Sequence, residues 1–318
     1  MNTHSHGQGH AHAHGPAHDH GHSHSHDVRD FGFAFAAATL LNFALVAAQV
    51  FYGLAANSIA LLADAGHNFG DALGLLLAWA AYMVGRWRPT ERHTYGFRSA
   101  SILAALSNSV LMLIATGAIA VEAIRRFYEP SEVAGLTVMV VAAAGIVTNG
   151  LSAWLLMAGR KGDLNVRSAF AHMVADAAVS LGVVVAGAVI WFTGWIVIDP
   201  IMSLVISAVI VWGTWGLLRE SLQLSMDAVP AGIEPADVRT YLEQRPGVAS
   251  IHDLHIWAMS TTENALTVHL VMPKGHPGDD CLVELCHDLK HRFGIQHPTF
   301  QIELGDAAEC ALAPEQVI

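Results

Sequence analysis

The chain has 318 residues, 53% of them hydrophobic and only 14% charged, with a formal net charge of −11. A soluble domain carries about 25% charged residues. The deficit is concentrated between residue 31 and about residue 218, which excludes a wholly soluble protein and describes a membrane domain with water-facing ends. The negative balance argues against nucleic acid as a partner.

Taken in chain order, the first feature is a histidine tract. His4, His6, His10, His12, His14, His18, His20, His22, His24 and His26 alternate with Gly, Ala and Ser. Such a composition builds no core and is expected to be disordered. Neutral imidazole is a good ligand for zinc, copper and nickel. Residues 1–28 therefore read as a His-rich, metal-collecting tract. An uninterrupted expression tag would lack these spacers, and a cleaved leader would begin with a short basic region and an apolar core.

A helix that crosses a bilayer needs about 20 mostly apolar residues. Six segments qualify: Phe31–Leu54, Ser58–Val84, Ser99–Glu122, Val133–Ala158, Ser168–Phe192 and Pro200–Leu218. An even number places both termini on one side. Arg29, Arg86, Arg88, Arg92, Arg98, Arg160, Lys161, Arg167 and Arg219 fall on that side, whereas the other collects Arg125 and Arg126, diluted by Glu129 and Glu132. The positive-inside rule then makes both termini cytoplasmic, in a multi-pass protein of the inner cell membrane. Residues 29–220 form the expected transport domain and 221–318 a cytoplasmic domain.

In that tail, Glu234–Gln244 reads as a helix with Pro235 in its first turn, Ala249–Trp257 and Ala265–Met272 as strands, and Asp279–Phe293 as a helix closed by Gly294. Thr299–Leu304 is a last strand, with Phe300, Ile302 and Leu304 on one face and Gln301 and Glu303 on the other. The order αββαβ suits a ferredoxin-like α+β domain. Its small core would gain from dimerisation. Cys281, Cys286 and Cys310 suggest no disulfide framework and a reducing compartment.

The informative residues are ionisable groups inside apolar segments. ADAGHNFGDALG in segment two buries Asp64, His67 and Asp71; AHMVADAAVS in segment five buries His172 and Asp176. A carboxylate at the bilayer centre costs at least ~3 kcal/mol on insertion scales, so such groups line a pathway or pair with something. Both motifs read His, three residues, Asp, Ala, which puts an imidazole and a carboxylate on one helix face. Two such helices facing each other supply a four-ligand N2O2 shell suited to tetrahedral zinc. Segments one to three and four to six form triplets inverted by their odd number, so segments two and five run antiparallel and meet near the midplane. On these limits His67 lies in the outer half of its segment and His172 at the inner end of its own, a mismatch that an earlier start for segment five removes. Asp64 is either an acceptor for a ligand histidine or a helix-packing residue. Asn42, Gln49, Asn108 and Asn149 are expected in interhelical hydrogen bonds, and Glu122 and Asp199, at helix ends, in no special role.

At these residues the sequence resembles the cation diffusion facilitator family, in its zinc-exporting branch. The resemblance rests on LLADAGHNFGD, RPTERHTYGFRSASILAAL, AHMVADAAVS, DPIMSLVISAVIV and HDLHIWAMS, and spans nearly the whole chain after the histidine tract. It implies a homodimeric zinc–proton antiporter whose transport site matches His67, Asp71, His172 and Asp176. It implies cytoplasmic zinc at His252, His269 and Glu303, with zinc both transported and regulatory and protons as the counter-ion. His93, with Glu91 nearby, matches a variable peripheral loop site that is incomplete here. The chain has no catalytic nucleophile or phosphate-binding loop, so neither an enzyme nor an ATP-driven pump is expected, and no organic cofactor. The competing expectations are a broader cadmium, cobalt and nickel exporter, which N2O2 ligation alone does not exclude, and a membrane metal sensor.

Overall fold

The computed structural model describes residues 28–157 and 164–305. The histidine tract at residues 4–26, Arg160, Lys161 and Cys310 lie outside the described residues. Six long helices come first: α1 (Val28–Ala55), α2 (Ile59–Gly85), α3 (Ala100–Tyr128), α4 (Gly135–Leu156), α5 (Leu164–Thr193) and α6 (Ile198–Ser225). Among the described residues, four stretches are long and apolar enough to cross a membrane: Ala100–Tyr128, Gly135–Trp154, Phe170–Thr193 and Ile198–Ser225; Leu40–Ala55 is a shorter apolar stretch. Large apolar side chains such as Phe51, Trp79, Trp154, Phe192 and Trp212 point outward. A helical surface of that kind is stable only against lipid.

The helix limits differ from the apolar segments. α5 starts at Leu164 rather than Ser168, α3 runs on to Tyr128 and α6 to Ser225. Hydropathy marks the depth of the lipid, whereas the backbone ladder continues as long as its hydrogen bonds can be made.

Inside the bundle, small and branched residues fill the space between helices: Ala60, Leu61 and Ala63 of α2, Met112 of α3, Val138 and Ala142 of α4, Val183 of α5 and Ile206 of α6 form one buried cluster. α4 and α5 approach closely at two glycines. A methyl group on Gly187 would lie 2.7 Å from Met139 N, and one on Gly135 would lie 2.8 Å from the Gly187 carbonyl oxygen. The start of α4 is tied to the end of α1 by Ala134 N donating to the Ala56 carbonyl at 3.1 Å.

The tail contains α7 (Pro235–Glu243), β1 (Ser250–Ala258), β2 (Asn264–Val271), α8 (Asp279–Phe293) and β3 (His297–Glu303), so the order is αββαβ. The three-stranded sheet has the order β1-β2-β3, antiparallel between β1 and β2 and parallel between β2 and β3. Val238 and Leu242 of α7, Leu285 and Leu289 of α8, and Leu254, Leu266, Val268 and Leu270 of the strands form its core, with Phe300 and Ile302 packed against it. Leu304, expected beside them, lies beyond the end of β3 and is exposed. Gly294 ends α8 in the left-handed conformation at φ 68°, as its position after the last helical residue predicts.

The tail touches the membrane domain at the turn between β1 and β2. Glu263 pairs with Arg98, Thr261 N donates to Ser101 Oγ at 3.1 Å, and Ser99 Oγ donates to the Met259 carbonyl at 3.3 Å. The loop between α2 and α3 and the tail therefore lie on the same side of the bundle.

Candidate metal centres

α2 carries His67 and Asp71 one turn apart, and α5 carries His172 and Asp176 in the same relation. The structure brings all four together. His67 Nε2 lies 3.3 Å from Asp176 Oδ1, and His172 Nε2 lies 3.1 Å from Asp71 Oδ2. Within each helix, His67 Nδ1 is 3.7 Å from Asp71 Oδ2 and His172 Nε2 is 3.5 Å from Asp176 Oδ2. The contacts between helices are crossed: the N-terminal histidine of each meets the C-terminal aspartate of the other. Crossed pairing is what antiparallel helices require.

These distances have a chemical meaning. Nitrogen and oxygen donors bound to zinc at about 2.0–2.1 Å in a tetrahedron lie about 3.3 Å apart. The observed separations bracket that edge, and the donor atoms of His67, Asp71 and Asp176 all lie within 4.8 Å of one another. Asp176 is 2% exposed and His67 20%. His67 Nδ1 and Asp176 Oδ1 have no hydrogen-bond partner among the described residues. Buried polar atoms without a hydrogen bond are costly, and a divalent cation would satisfy both.

Asp64 is fully buried one turn before His67. Its partners are not the histidines: Gln49 Nε2 donates to Asp64 Oδ2 at 2.5 Å and Ser180 Oγ at 3.2 Å. Asn68 Nδ2 donates in turn to Gln49 Oε1 at 3.2 Å. Asp64 thus joins α1, α2 and α5 behind the centre, the helix-packing alternative of the two. Of the four amides expected in interhelical hydrogen bonds, Gln49 makes them, whereas Asn42 Oδ1, Asn108 Oδ1 and Asn149 Nδ2 have no partner among the described residues. His93 is exposed, stacks on Phe97 at 4.5 Å and lies 3.5 Å from Thr90 Oγ1. Among the described residues, neither Glu91 nor any other carboxylate lies within ion-pair distance of it.

A second cluster lies on the tail sheet. His252 and His269 face each other across β1 and β2. His269 Nδ1 is 3.2 Å from His252 Nε2 and 2.9 Å from Glu303 Oε1, and His252 Nε2 is 3.4 Å from Glu303 Oε2. The three form a compact set of donors, again near the tetrahedral edge. His269 is largely buried although strand alternation around Val268 and Leu270 predicts a solvated imidazole. His252 Nδ1 is buried without a partner among the described residues. The donor set fits a zinc ion, which would cross-link the three strands.

Asp199 has a structural role that its place at a helix end does not announce. It is fully buried at the start of α6 and accepts from Ser58 Oγ, from Ile59 N at 2.8 Å and from Ala60 N at 3.4 Å. It therefore caps α2 from another helix, favourably for the positive end of the helix dipole. Arg126 approaches to 4.0 Å and also bonds Asn57.

A helical membrane domain with an acid–imidazole centre between two of its helices, joined to a small α+β tail with its own donor cluster, defines a metal-handling membrane protein. The comparisons with known proteins agree. The cation efflux transmembrane domain family matches residues 35–224, and the cation efflux protein cytoplasmic domain family matches residues 230–304. The chain belongs to the cation efflux, or cation diffusion facilitator, family. It is 35% identical to the zinc transporter ZitB of Escherichia coli (strain K12) over 85% of this chain and 86% of that protein. It is 33% identical to the cadmium, cobalt and zinc/H(+)-K(+) antiporter of Bacillus subtilis (strain 168) over 79% and 82%. The metal-bound C-terminal domain of the CzcD transporter from Cupriavidus metallidurans is 41% identical over 23% of this chain and all of that chain, at a TM-score of 0.22. Family membership makes the protein a multi-pass membrane transporter that exports metal cations.

Proposed function

We propose that this protein exports zinc from the cytoplasm in exchange for protons, with His67, Asp71, His172 and Asp176 as the substrate site. The observation that carries the reading is the crossed pairing of the two His–Asp motifs, with contacts between the helices of 3.1 and 3.3 Å. Two carboxylates neutralise a dication, and two imidazoles bind it only when unprotonated. Protons and metal therefore compete for His67 and His172, whose side chain type titrates near physiological pH. Protons arriving from outside would displace the ion into the medium. The names of the E. coli and B. subtilis relatives support zinc as cargo and a proton in the exchange.

The expected three-part division, 1–28, 29–220 and 221–318, is supported in outline by the two family matches, although α6 carries the second part on to Ser225. Cytoplasmic termini in the inner membrane accord with the excess of Arg and Lys on that side and with the Arg98–Glu263 pair. The protein acts as a homodimer, for which the thin core of the tail is an argument. His252, His269 and Glu303 would hold a regulatory zinc that pins the tail sheet. His4 to His26 would gather metal in front of the site.

The test is zinc uptake by proteoliposomes under an imposed proton gradient. Uptake that stalls when the gradient is collapsed, with protons released when zinc is added, supports the exchange. Undiminished uptake without a gradient overturns it. A broader exporter of cadmium and cobalt is favoured by the name of the B. subtilis relative, and comparable cadmium and zinc rates in the same vesicles would select it. A metal sensor would bind zinc at the tail but show no flux.

A further inference from the structure

We infer that Asp253 is a positioning residue for the cytoplasmic metal centre, holding His269 in the tautomer and orientation that bind the ion. The inference rests on the reading of His252, His269 and Glu303 as a zinc site. In a regular strand, neighbouring side chains point to opposite faces, so Asp253 should face the core when His252 faces the metal cluster. It does not. The register between β1 and β2 shifts between His252 and His255, and Asp253 has a left-handed backbone at φ 51°. The bulge leaves Ile251, Leu254 and Ile256 in the core and turns His252 and Asp253 to the same side. Left-handed backbone is uncommon for a residue with a side chain, although aspartate is among those that tolerate it. Such strain gathers at sites where the geometry has a use.

The use is visible at His269. Its Nδ1 points at Glu303 and His252, and its Nε2 lies 3.4 Å from Asp253 Oδ2. If Nδ1 is to give its lone pair to a metal, the proton must sit on Nε2, where Asp253 is placed to accept it. The other oxygen, Asp253 Oδ1, is 3.0 Å from Nε2 of the half-exposed His255. That second imidazole fixes the carboxylate plane from outside. A carboxylate behind a ligand histidine sets its tautomer and raises its basicity, and its loss costs about 10–100-fold in metal affinity.

The experiment uses the full-length chain in detergent. Asp71→Ala and Asp176→Ala remove the membrane centre, and serine replaces the ten histidines of the tract. Zinc is titrated against a competing chelator dye. Asp253→Gly is expected to weaken binding about 10–100-fold at unchanged stoichiometry. Asp253→Asn, which can still accept through its amide oxygen, should lie between Gly and the parent. A role in strand geometry alone predicts a different order: glycine adopts positive φ freely and would bind like the parent, while Asp253→Ala would be the damaged variant. Parent-like affinity in Asp253→Gly overturns the inference. If the parent shows no zinc binding that His269→Ala abolishes, the cytoplasmic site itself is wrong and the inference falls with it.

Discussion

Replacing Asp176 by alanine is the sharpest perturbation of the membrane centre. Asp176 is 2% exposed, and its oxygens lie 3.3 Å from His67 Nε2 and 3.5 Å from His172 Nε2. No open solvent stands ready to replace the ligand. With Asp71 and Asp176 both ionised a bound dication is neutralised; without Asp176, one positive charge stays uncompensated within the helix bundle. A charge near the bilayer centre costs about 3 kcal/mol on insertion scales, or about 100-fold in affinity. Asp71 is 27% exposed, so water can partly replace its oxygen, and Asp71→Ala should lose less affinity than Asp176→Ala. Both should abolish zinc uptake into proteoliposomes at micromolar zinc, while gel filtration still shows a folded dimer. Wild-type flux in the Asp71→Ala, Asp176→Ala double variant would refute the assignment of the site.

Other perturbations separate the remaining claims. His67→Asp keeps an oxygen ligand and adds charge, so it should retain some transport and shift preference toward cadmium, a larger ion that tolerates oxygen-rich shells; competition between zinc and cadmium in vesicles reads this out. Deleting residues 1–26 should leave the maximal rate intact and raise the zinc concentration for half-maximal rate, because a flexible tether raises local metal concentration without forming the site. Asp199→Ala leaves the Ile59 and Ala60 amides without their acceptor, a loss of about 2 kcal/mol, and should lower the melting temperature in detergent without changing metal preference. Gly187→Leu should separate α4 from α5, because even a methyl group there meets Met139 N at 2.7 Å; loss of folded protein on gel filtration is the readout.

The centre between α2 and α5 was legible because its signal is local. A histidine and an aspartate four residues apart share a helix face whatever the fold does, and intramembrane charge is costly enough to need a reason. The tail order was legible for similar reasons: strand alternation, Pro235 and Gly294 are short-range marks. What escaped the sequence is long-range. Asp199 reads as an ordinary helix-end acid because Ser58, whose hydroxyl it accepts, lies 141 residues away. The bulge at Asp253 leaves only a faint mark, the adjacent polar pair His252 and Asp253 that breaks the alternation between Ile251 and Leu254, and its geometry is fixed only by the register with β2. α5 and α6 extend past the apolar segments because apolar composition stops before the backbone ladder does.

The earlier start of α5 also resolves the depth of the centre. The middle of the α2 motif lies about thirteen residues after Ala56, and the middle of the α5 motif about thirteen residues before Gly187; each span is about 20 Å along a helix. Ala56 and Gly187 are at one level, since Ala56 accepts from Ala134 and Gly187 packs against Gly135. Antiparallel helices that share one level and an equal distance from it to their motifs must present those motifs face to face, which is the crossed contact observed. About 20 Å along α2 from this level, with about sixteen residues still to run before Gly85, the four ligands lie near the middle of the helix, where Asp176 is buried while Asp71 and His172 stay partly exposed. The centre is therefore closed on the side of Asp176 and open on the side of His172, so an ion could meet its ligands there in sequence, His172 and Asp71 before Asp176.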